Sequence, residues 1–332
     1  MTLKTRNAAS PSLKDIQAPV AGALARVHEE MWRIVAVDSE FFRGVNQHLM
    51  LMKGKMVRPT LMLLSSETAG AAEPRVASYA AVIELIHLAT LVHDDAVDHS
   101  ALRRGMPTVN ALFTHEVAVI AGDFLYSRAV QELVRLGDLE ALRVFANASN
   151  ELTVGEMRQL GALNALAFSE ADYEFLIKCK TAALFKASCE VGALCGAPDH
   201  RQALSTFGER LGMAFQVADD LLDYTAVAAT TGKPTGLDLK EHKVTLPLIH
   251  ALRSISPAGL RVVEALFANP DPTGDQIAAV VEVVQEAGGL DYARIRGEEF
   301  LGQAEEALTS LPDTPARQAL HDAMVYVMER SS

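Results

Sequence analysis

Apolar residues along this chain recur three and four positions apart, as at Leu61 and Leu64 or at Val82, Leu85, Ile86 and Ala89, and few stretches alternate apolar with polar residues. The first spacing builds one apolar stripe on a helix, whereas alternation would mark strands. The pattern predicts an all-α protein. Local punctuation agrees with it. Gly70 can close a helix that begins just after Pro59, and Pro74 can open the next. Ser169-Glu-Ala-Asp172 forms a capping box with Asp in place of Glu, and Thr273-Gly-Asp-Gln276 has the standard pattern. Thr314-Pro315 reads as the N-cap and first residue of a C-terminal helix. Residues 102–108, 230–243 and 269–274 are the expected main loops. No shift in composition marks a linker. Residues 11–332 are therefore expected to form one domain of about a dozen helices, behind a flexible N-terminus at residues 1–10.

Composition narrows the class. With 49% hydrophobic and 22% charged residues in 332, the chain can build a substantial core, which excludes disordered, collagen-like and low-complexity scaffolds. A net charge of −12 argues against general nucleic-acid binding, which needs excess cations. Three cysteines (Cys179, Cys189, Cys195) are too few for a disulfide framework and point to a reducing, cytoplasmic setting. Residues 1–12 lack the apolar stretch of a signal peptide. The most apolar window, residues 79–92, is interrupted by Glu84 and His87 and reads as too short to span a bilayer, so no integral membrane segment is expected.

One motif occurs twice, as His93-Asp-Asp-Ala-Val-Asp98 and as Ala218-Asp-Asp-Leu-Leu-Asp223. On a helix, positions i and i+4 share a face, so Asp94 projects beside Asp98 and Asp219 beside Asp223. Asp95 and Asp220 sit roughly 100° further round. Each trio ends an otherwise apolar helix, where crowded like charges repel and something cationic must compensate. Mg²⁺ suits such a site: it takes one or two carboxylates, keeps waters and completes its shell with phosphate oxygens. Two facing Asp pairs would suspend a diphosphate between them through bridging metals. No cysteine or paired-histidine pattern favours Zn²⁺. Basic residues lie close by in sequence: Lys55 and Arg58, Arg103 and Arg104, Lys180, Lys233, Lys240 and Lys243. Arg103-Arg104 follow the first aspartate motif in a Gly-containing loop, where guanidinium forks can grip phosphate oxygens bidentately.

Taken together, these residues resemble the trans-isoprenyl diphosphate synthase (polyprenyl synthetase) family from about Lys53 to the C-terminus. The likeness rests on Gly54-Lys-Met-Val-Arg-Pro59, Glu84-Leu-Ile-His87, Leu91-Val-His-Asp-Asp-Ala-Val-Asp98 with Arg103-Arg-Gly, and Gly122-Asp-Phe-Leu125. It continues through Gly155-Glu-Met-Arg-Gln-Leu160, Lys180-Thr181, Phe215-Gln216 with Asp219-Asp-Leu-Leu-Asp223, and Lys243-Val-Thr-Leu-Pro247. The resemblance implies an isoprenoid-synthase-type helical bundle around a central cavity and a head-to-tail condensation of isopentenyl diphosphate with an allylic diphosphate. It implies three Mg²⁺ ions per site, with Mn²⁺ an acceptable substitute: two on Asp94 and Asp98, a third on Asp219. Asp95, Asp220 and Asp223 would act directly, through water or as supports. Arg103, Lys180 and Lys243, with Lys233 a weaker candidate, would hold the allylic diphosphate. Lys55, Arg58, His87 and Arg104 would hold the isopentenyl diphosphate. Thr181 and Gln216 would face the carbocation. A homodimer is also implied.

Two departures stand out against the family's usual Gly-Gly-Lys-Arg-x-Arg-Pro and Glu-Gly-Lys. Lys53 and Met56 replace the first Gly and the first Arg, leaving one phosphate contact missing or supplied by Lys53. His242 replaces a glycine and alters that loop's backbone freedom. Ala89 and Thr90, one turn before Asp94, are small where short-chain members carry an aromatic, so the resemblance points to a medium- or long-chain product (about C30–C45) of the octaprenyl type that feeds quinone side chains. Phe113, Phe124 and Phe145 are candidate channel floors. The competing readings are a farnesyl or geranylgeranyl diphosphate synthase, a class I terpene cyclase, and a non-catalytic subunit of a heteromeric synthase. The isopentenyl-site residues argue against the cyclase, and two intact aspartate motifs argue against the subunit.

Overall fold

The computed structural model describes residues 10–52, 54–70, 72–160, 165–225 and 236–329. The N-terminal half runs through α1 (Leu13–Gln17), α2 (Ala21–Val35), α3 (Glu40–Leu51), α4 (Val57–Ser66), α5 (Val76–Val97), α6 (Val109–Leu112), α7 (His115–Leu136) and α8 (Leu139–Leu160). Next come α9 (Glu170–Ile177), a π turn (Lys178–Ala182), α10 (Ala183–Gly196) and α11 (Arg201–Thr225). The C-terminal part holds α12 (Leu237–Lys240), α13 (Leu246–Ala251), α14 (Pro257–Phe267), α15 (Gly274–Glu286), α16 (Gly289–Leu308) and α17 (Pro315–Glu329). This is the all-α bundle that the periodicity predicts.

The bundle is organised around α5 and α11. Every residue from Val76 to Ile86 is buried, as expected of a helix that is apolar all round and packed on all sides. Its neighbours are α2, α4, α7 and α10. This helix corrects one expectation: at 22 residues, Val76–Val97 is long and apolar enough to cross a membrane, but 72% of its apolar window is buried inside the protein. α11 packs on α10, α16, α17 and the π turn. A large hydrophobic cluster joins these elements, and a smaller one gathers Tyr224, Leu239, Leu248, Val263, Leu266 and Val280. Val244 and Leu290 pack against both.

Helix ends follow local chemistry. The capping boxes at Ser169–Asp172 and Thr273–Gln276 both form, and the Thr314 hydroxyl accepts a hydrogen bond from the Arg317 amide at 3.2 Å. α4 differs from its predicted bounds. It starts at Val57 and takes Pro59 into its first turn, where no N–H is required. It stops at Ser66, before Gly70, because the Ser66 and Thr68 hydroxyls donate to the carbonyls of Leu63 and Ser65 and compete with the backbone. The expected loop at 102–108 contains a β-hairpin of Leu102–Arg103 (β1) and Met106–Pro107 (β2). Arg104 and Gly105, both at positive φ, form its turn. The flexibility expected of the N-terminus falls on residues outside the described ones, save residue 10.

α4 and α10 approach closely enough that a Cβ on Gly192 would run into the Met62 carbonyl oxygen, which is backbone and cannot swing aside. Gly192→Ala is therefore expected to lower stability by about 1–3 kcal/mol. Urea unfolding with an unchanged m-value would register it.

Candidate active site

The two aspartate motifs lie at the C-terminal ends of α5 and α11, and the π turn bridges them. Thr181 Oγ1 donates to Gln216 Oε1 at 2.6 Å, tying the π turn to α11 one turn before Asp219. On the other side of the turn, Lys180 pairs with Glu156 at 2.7 Å and donates to Gln159 Oε1 at 3.4 Å. Lys180 is also the positive charge acting most on Asp94. A π turn inserts one extra residue into a helix, a device often found at functional sites. Here it brings consecutive residues, Lys180 and Thr181, to bear on α5 and α11 respectively.

The six motif aspartates divide by environment. Asp95 is buried and accepts a hydrogen bond from Arg103 Nε at 2.7 Å. Asp220 is buried and has both oxygens engaged, accepting from Gln216 Nε2 at 2.8 Å and from the Tyr173 hydroxyl at 2.6 Å. Burial pushes its carboxyl up to about 8, against those two hydrogen bonds. Asp223 accepts the amides of Leu237 at 3.1 Å and Asp238 at 2.9 Å, so it caps α12. Asp94 and Asp219 are half-buried and Asp98 is exposed. Burial pushes Asp94 up to about 6, with Lys180 opposing and Glu156 reinforcing the rise.

Arg58, Arg103, Lys180 and Lys243 lie close enough to these acids to act on them. Arg58 is half-buried, with its guanidinium over the Phe185 ring at 5.1 Å. Burial pulls it down to about 10, while Glu84 and Asp219 raise it and Arg104 lowers it. Its Nε is buried without a hydrogen-bond partner. Desolvation and the charges of Arg58, Arg104 and Arg103 hold His87 well below the ordinary histidine range, so it is neutral at pH 7. Lys243 pairs with Glu241 at 2.6 Å. Burial works against its charge, yet Glu241, Asp238 and Asp98 outweigh it and raise its pKa. Arg58 thus feels an acid of each long helix, and Lys243 feels Asp98 across from α11. Lys55 is exposed, its Nζ 3.5 Å from the Tyr326 hydroxyl. Arg104 is exposed, and its Nη1 would lie 3.3 Å from a Cβ on Gly54. Lys233 and Lys53 lie outside the described residues.

All four non-glycine residues with left-handed backbone, among the described residues, flank these groups: Met56 (φ 52°), His99 (51°), Arg104 (53°) and His242 (56°). Such a conformation costs roughly 1–2 kcal/mol each, and stored strain of this kind clusters where function fixes geometry. His242 keeps the conformation a glycine would adopt. Its Nε2 lies 2.9 Å from the Asn269 carbonyl oxygen and its ring packs on Phe267.

Several functional neighbours carried no predicted role. Glu84 and Asp238 are buried or nearly so, the first facing Arg58 and Arg104, the second facing Asp223 and Lys243. Glu156 and Gln159 lie within a motif that the resemblance used, but only the fold shows them holding Lys180. Tyr173 belongs to no motif. The Gly122 motif has a steric basis: a Cβ there would collide with His93, whose Nε2 lies 3.0 Å from the Val119 carbonyl oxygen.

Carboxylate oxygens are the right donors for Mg²⁺. Among the described residues, no group of three or more His, Cys, Asp or Glu side chains is arranged to hold an ion alone.

A model of the polyprenyl synthetase family matches residues 39–284. The chain is 38% identical over 319 residues to the all-trans-nonaprenyl-diphosphate synthase (geranyl-diphosphate specific) of Rhodobacter capsulatus, covering 96% of this chain and 98% of that one. It is 37% identical over 311 residues to the octaprenyl diphosphate synthase of Escherichia coli, covering 93% and 96%. The crystal structure of a polyprenyl synthase from Caulobacter crescentus, complexed with calcium and isoprenyl diphosphate, superposes with a TM-score of 0.91 at 32% identity, covering 98% of this chain and 100% of that one. The chain belongs to the polyprenyl synthetase family.

Removing Arg103 strands the buried Asp95 carboxylate. Arg103→Met should cost about 2 kcal/mol, less than a fully buried pair because Arg103 is partly exposed. Adding Asp95→Asn should recover most of that loss. Urea denaturation of both single variants and the double variant reads the coupling, and simple additivity would contradict it.

Proposed function

We propose that the protein is a Mg²⁺-dependent trans-prenyltransferase that lengthens an allylic diphosphate by head-to-tail addition of isopentenyl diphosphate, giving a medium- or long-chain all-trans polyprenyl diphosphate. The observation that carries this reading is the pair of acidic helix ends with cations shared between them, next to the Thr181–Gln216 pair. In the reaction, the allylic C–O bond breaks and its electron pair leaves with diphosphate. The π electrons of isopentenyl diphosphate attack the allylic cation. Loss of a proton, taken up by the departing diphosphate, restores an allylic product one C5 unit longer.

Asp94, Asp98 and Asp219 are the side chains that would hold the metal, and Asp95, Asp220 and Asp223, which accept hydrogen bonds from protein donors, would support them. We assign three ions per site, with Mn²⁺ an acceptable substitute. When bound, Mg²⁺ neutralises the diphosphate and makes it a better leaving group. Lys180, Arg103 and Lys243 would orient the allylic diphosphate. Glu156 and Gln159 aim the Lys180 ammonium at it. On the other side, Arg58, Arg104 and Lys55 would bind isopentenyl diphosphate, with neutral His87 as a hydrogen-bonding group. Arg58 Nε already waits without a partner, so the anion needs little rearrangement to bind.

Ala89 is buried and Thr90 half-buried, so the wall one turn below Asp94 is low. Each C5 unit that leaves water contributes about 4 kcal/mol, at about 0.8 per carbon. A growing chain is therefore held rather than released. Of the three candidate floors, Phe113 is exposed and Phe124 half-buried against Phe42, whereas Phe145 is fully buried and stacked on Tyr79. Tyr79 lies three helical turns, roughly 16 Å, below Thr90 on a similar face of α5. We assign the floor to Phe145. The reading also includes a homodimer: Ile120, Val134, Leu139 and Met157 expose apolar surface on α7 and α8 that a second copy would cover. The reading also includes a cytoplasmic setting, which the three free, buried cysteines suit.

Chromatography of dephosphorylated products made from isopentenyl and farnesyl diphosphates tests the function directly. Products no longer than C20 would establish the shorter-chain reading instead. Asp94→Ala and Asp219→Ala are each expected to lower Mg²⁺-dependent turnover by roughly 100-fold or more without altering the circular dichroism spectrum. Ala89→Phe should shorten the product spectrum, and an unchanged spectrum would refute the channel assignment.

A further inference from the structure

Four buried or half-buried groups from three elements form one hydrogen-bonded chain. Tyr173 on α9 donates its hydroxyl to Asp220 Oδ2 at 2.6 Å. Gln216 Nε2 donates to Asp220 Oδ1 at 2.8 Å, and the Thr181 hydroxyl on the π turn donates to Gln216 Oε1 at 2.6 Å. Tyr173 and Asp220 are 2% and 4% exposed, so neither is satisfied by solvent. Every bond in the chain points towards Asp220. That direction is informative.

An amide side chain can present either its oxygen or its NH₂ to a neighbour, and a hydroxyl can either donate or accept. At Gln216 and Thr181 the choice is made by the carboxylate. An amide nitrogen can only donate, and Asp220 Oδ1 accepts from Gln216 Nε2 at 2.8 Å, so the NH₂ end of Gln216 is held towards Asp220. The amide oxygen is then turned away and takes up the single hydroxyl proton of Thr181. With that proton committed, Thr181 can offer the space beyond it only lone pairs. We infer that Asp220 and Tyr173 are positioning residues that set the polarity of the Gln216–Thr181 pair, so that oxygen lone pairs rather than N–H or O–H protons face the allylic cation.

This rests on the prenyl-transfer reading above and deepens it. Oriented oxygen dipoles stabilise developing positive charge, and protons at the same place would oppose it. No proton moves along the chain during the reaction. It also separates the roles of adjacent residues: Asp219 is assigned to the metal under the proposed function, whereas Asp220, roughly 100° further round α11, meets Tyr173 of α9 and serves the organic half of the substrate. Tyr173 fills the second carboxylate oxygen and prevents the carboxylate from swinging out to join Asp219.

Asp220→Asn keeps the shape but changes the logic. With the Tyr173 hydroxyl still donating to the new amide oxygen, the new NH₂ faces Gln216. Gln216 must then rotate to offer Oε1, which turns its own NH₂ towards Thr181. The variants Asp220→Asn and Tyr173→Phe are to be compared with wild-type protein in three measurements. The first is single-turnover condensation of farnesyl with isopentenyl diphosphate at saturating and varied Mg²⁺. The second is the dissociation constant of farnesyl thiolodiphosphate, which binds but ionises poorly. The third is the dissociation constant of an ammonium analogue of the allylic cation in the presence of inorganic diphosphate.

For Asp220→Asn, the condensation rate should fall about 100-fold. The ammonium analogue should bind at least about tenfold more weakly, the scale of a lost hydrogen bond involving charge. Half-saturation by Mg²⁺ and thiolodiphosphate binding should be unchanged. Tyr173→Phe, which removes one hydroxyl and tests the chain if the first variant fails to fold, should give the same pattern at about three- to tenfold. A higher Mg²⁺ requirement with parallel loss of thiolodiphosphate affinity would assign Asp220 to the metal and overturn the inference. Unaltered rate and ammonium affinity in both variants would overturn it too. Wild-type protein that makes no prenyl-transfer product would instead refute the underlying function, a result visible before any variant is compared.

Discussion

Carboxylates crowded at one spot repel each other, and two apolar helices here end in three apiece. The fold resolves that crowding by giving each acid a different environment. Asp95 is neutralised by Arg103, Asp220 by hydroxyl and amide donors, and Asp223 by the first amides of α12. Asp94 and Asp219 are half-buried and Asp98 is exposed, and the charges of Lys180, Arg58 and Lys243 act on Asp94, Asp219 and Asp98 in turn. Repulsion among the acids is thus offset by neighbouring donors and cations, and under the proposed function a polyvalent cation with its anionic cargo would lower it further. The placement of Lys180, Arg58 and Lys243 follows from this one constraint.

Much of the architecture was readable from spacing. The helical periodicity, both capping boxes, the Thr314 cap and the doubled aspartate motif depend on neighbours within one turn, which sequence displays directly. What escaped was decided over longer distances or by backbone geometry. Two residues per strand are too few to alternate, so the hairpin at Arg103 looked like a loop. A π turn leaves no signature in the residues Lys178 to Ala182, because its extra residue is accommodated by packing against α8 and α11. The apolar window around Glu84 and His87 read as too short because both are polar, whereas guanidinium groups face both inside the fold. Resemblance gave the metals to Asp94, Asp98 and Asp219 and left Asp95, Asp220 and Asp223 to act directly, through water or as supports, without naming the protein donors that hold the last three. Tyr173 and Asp238, which complete that division, stand at ordinary-looking positions.

The lysines and Arg58 of the candidate site hold their positive charge differently. Lys180 and Lys243 are held in close ion pairs with Glu156 and Glu241, which fixes their direction and tempers their attraction for anions. Arg58 is held by ring stacking and by the field of buried Glu84, with a nitrogen left over. An anion entering beside Arg58 meets a desolvated, preset guanidinium, whereas one entering beside Lys180 must compete with a carboxylate. Such a contrast suits a site in which one diphosphate stays intact while the other departs.

His242 carries a consequence beyond its own turn. Its imidazole is moored to Asn269 and Phe267, at the far end of α14, and Phe267 packs with the smaller hydrophobic cluster. The backbone that presents Lys243 is therefore braced by a part of the molecule remote from the reaction. Transient local opening of α14 and α15 would loosen that brace, so the placement of Lys243 depends on the integrity of the smaller hydrophobic cluster.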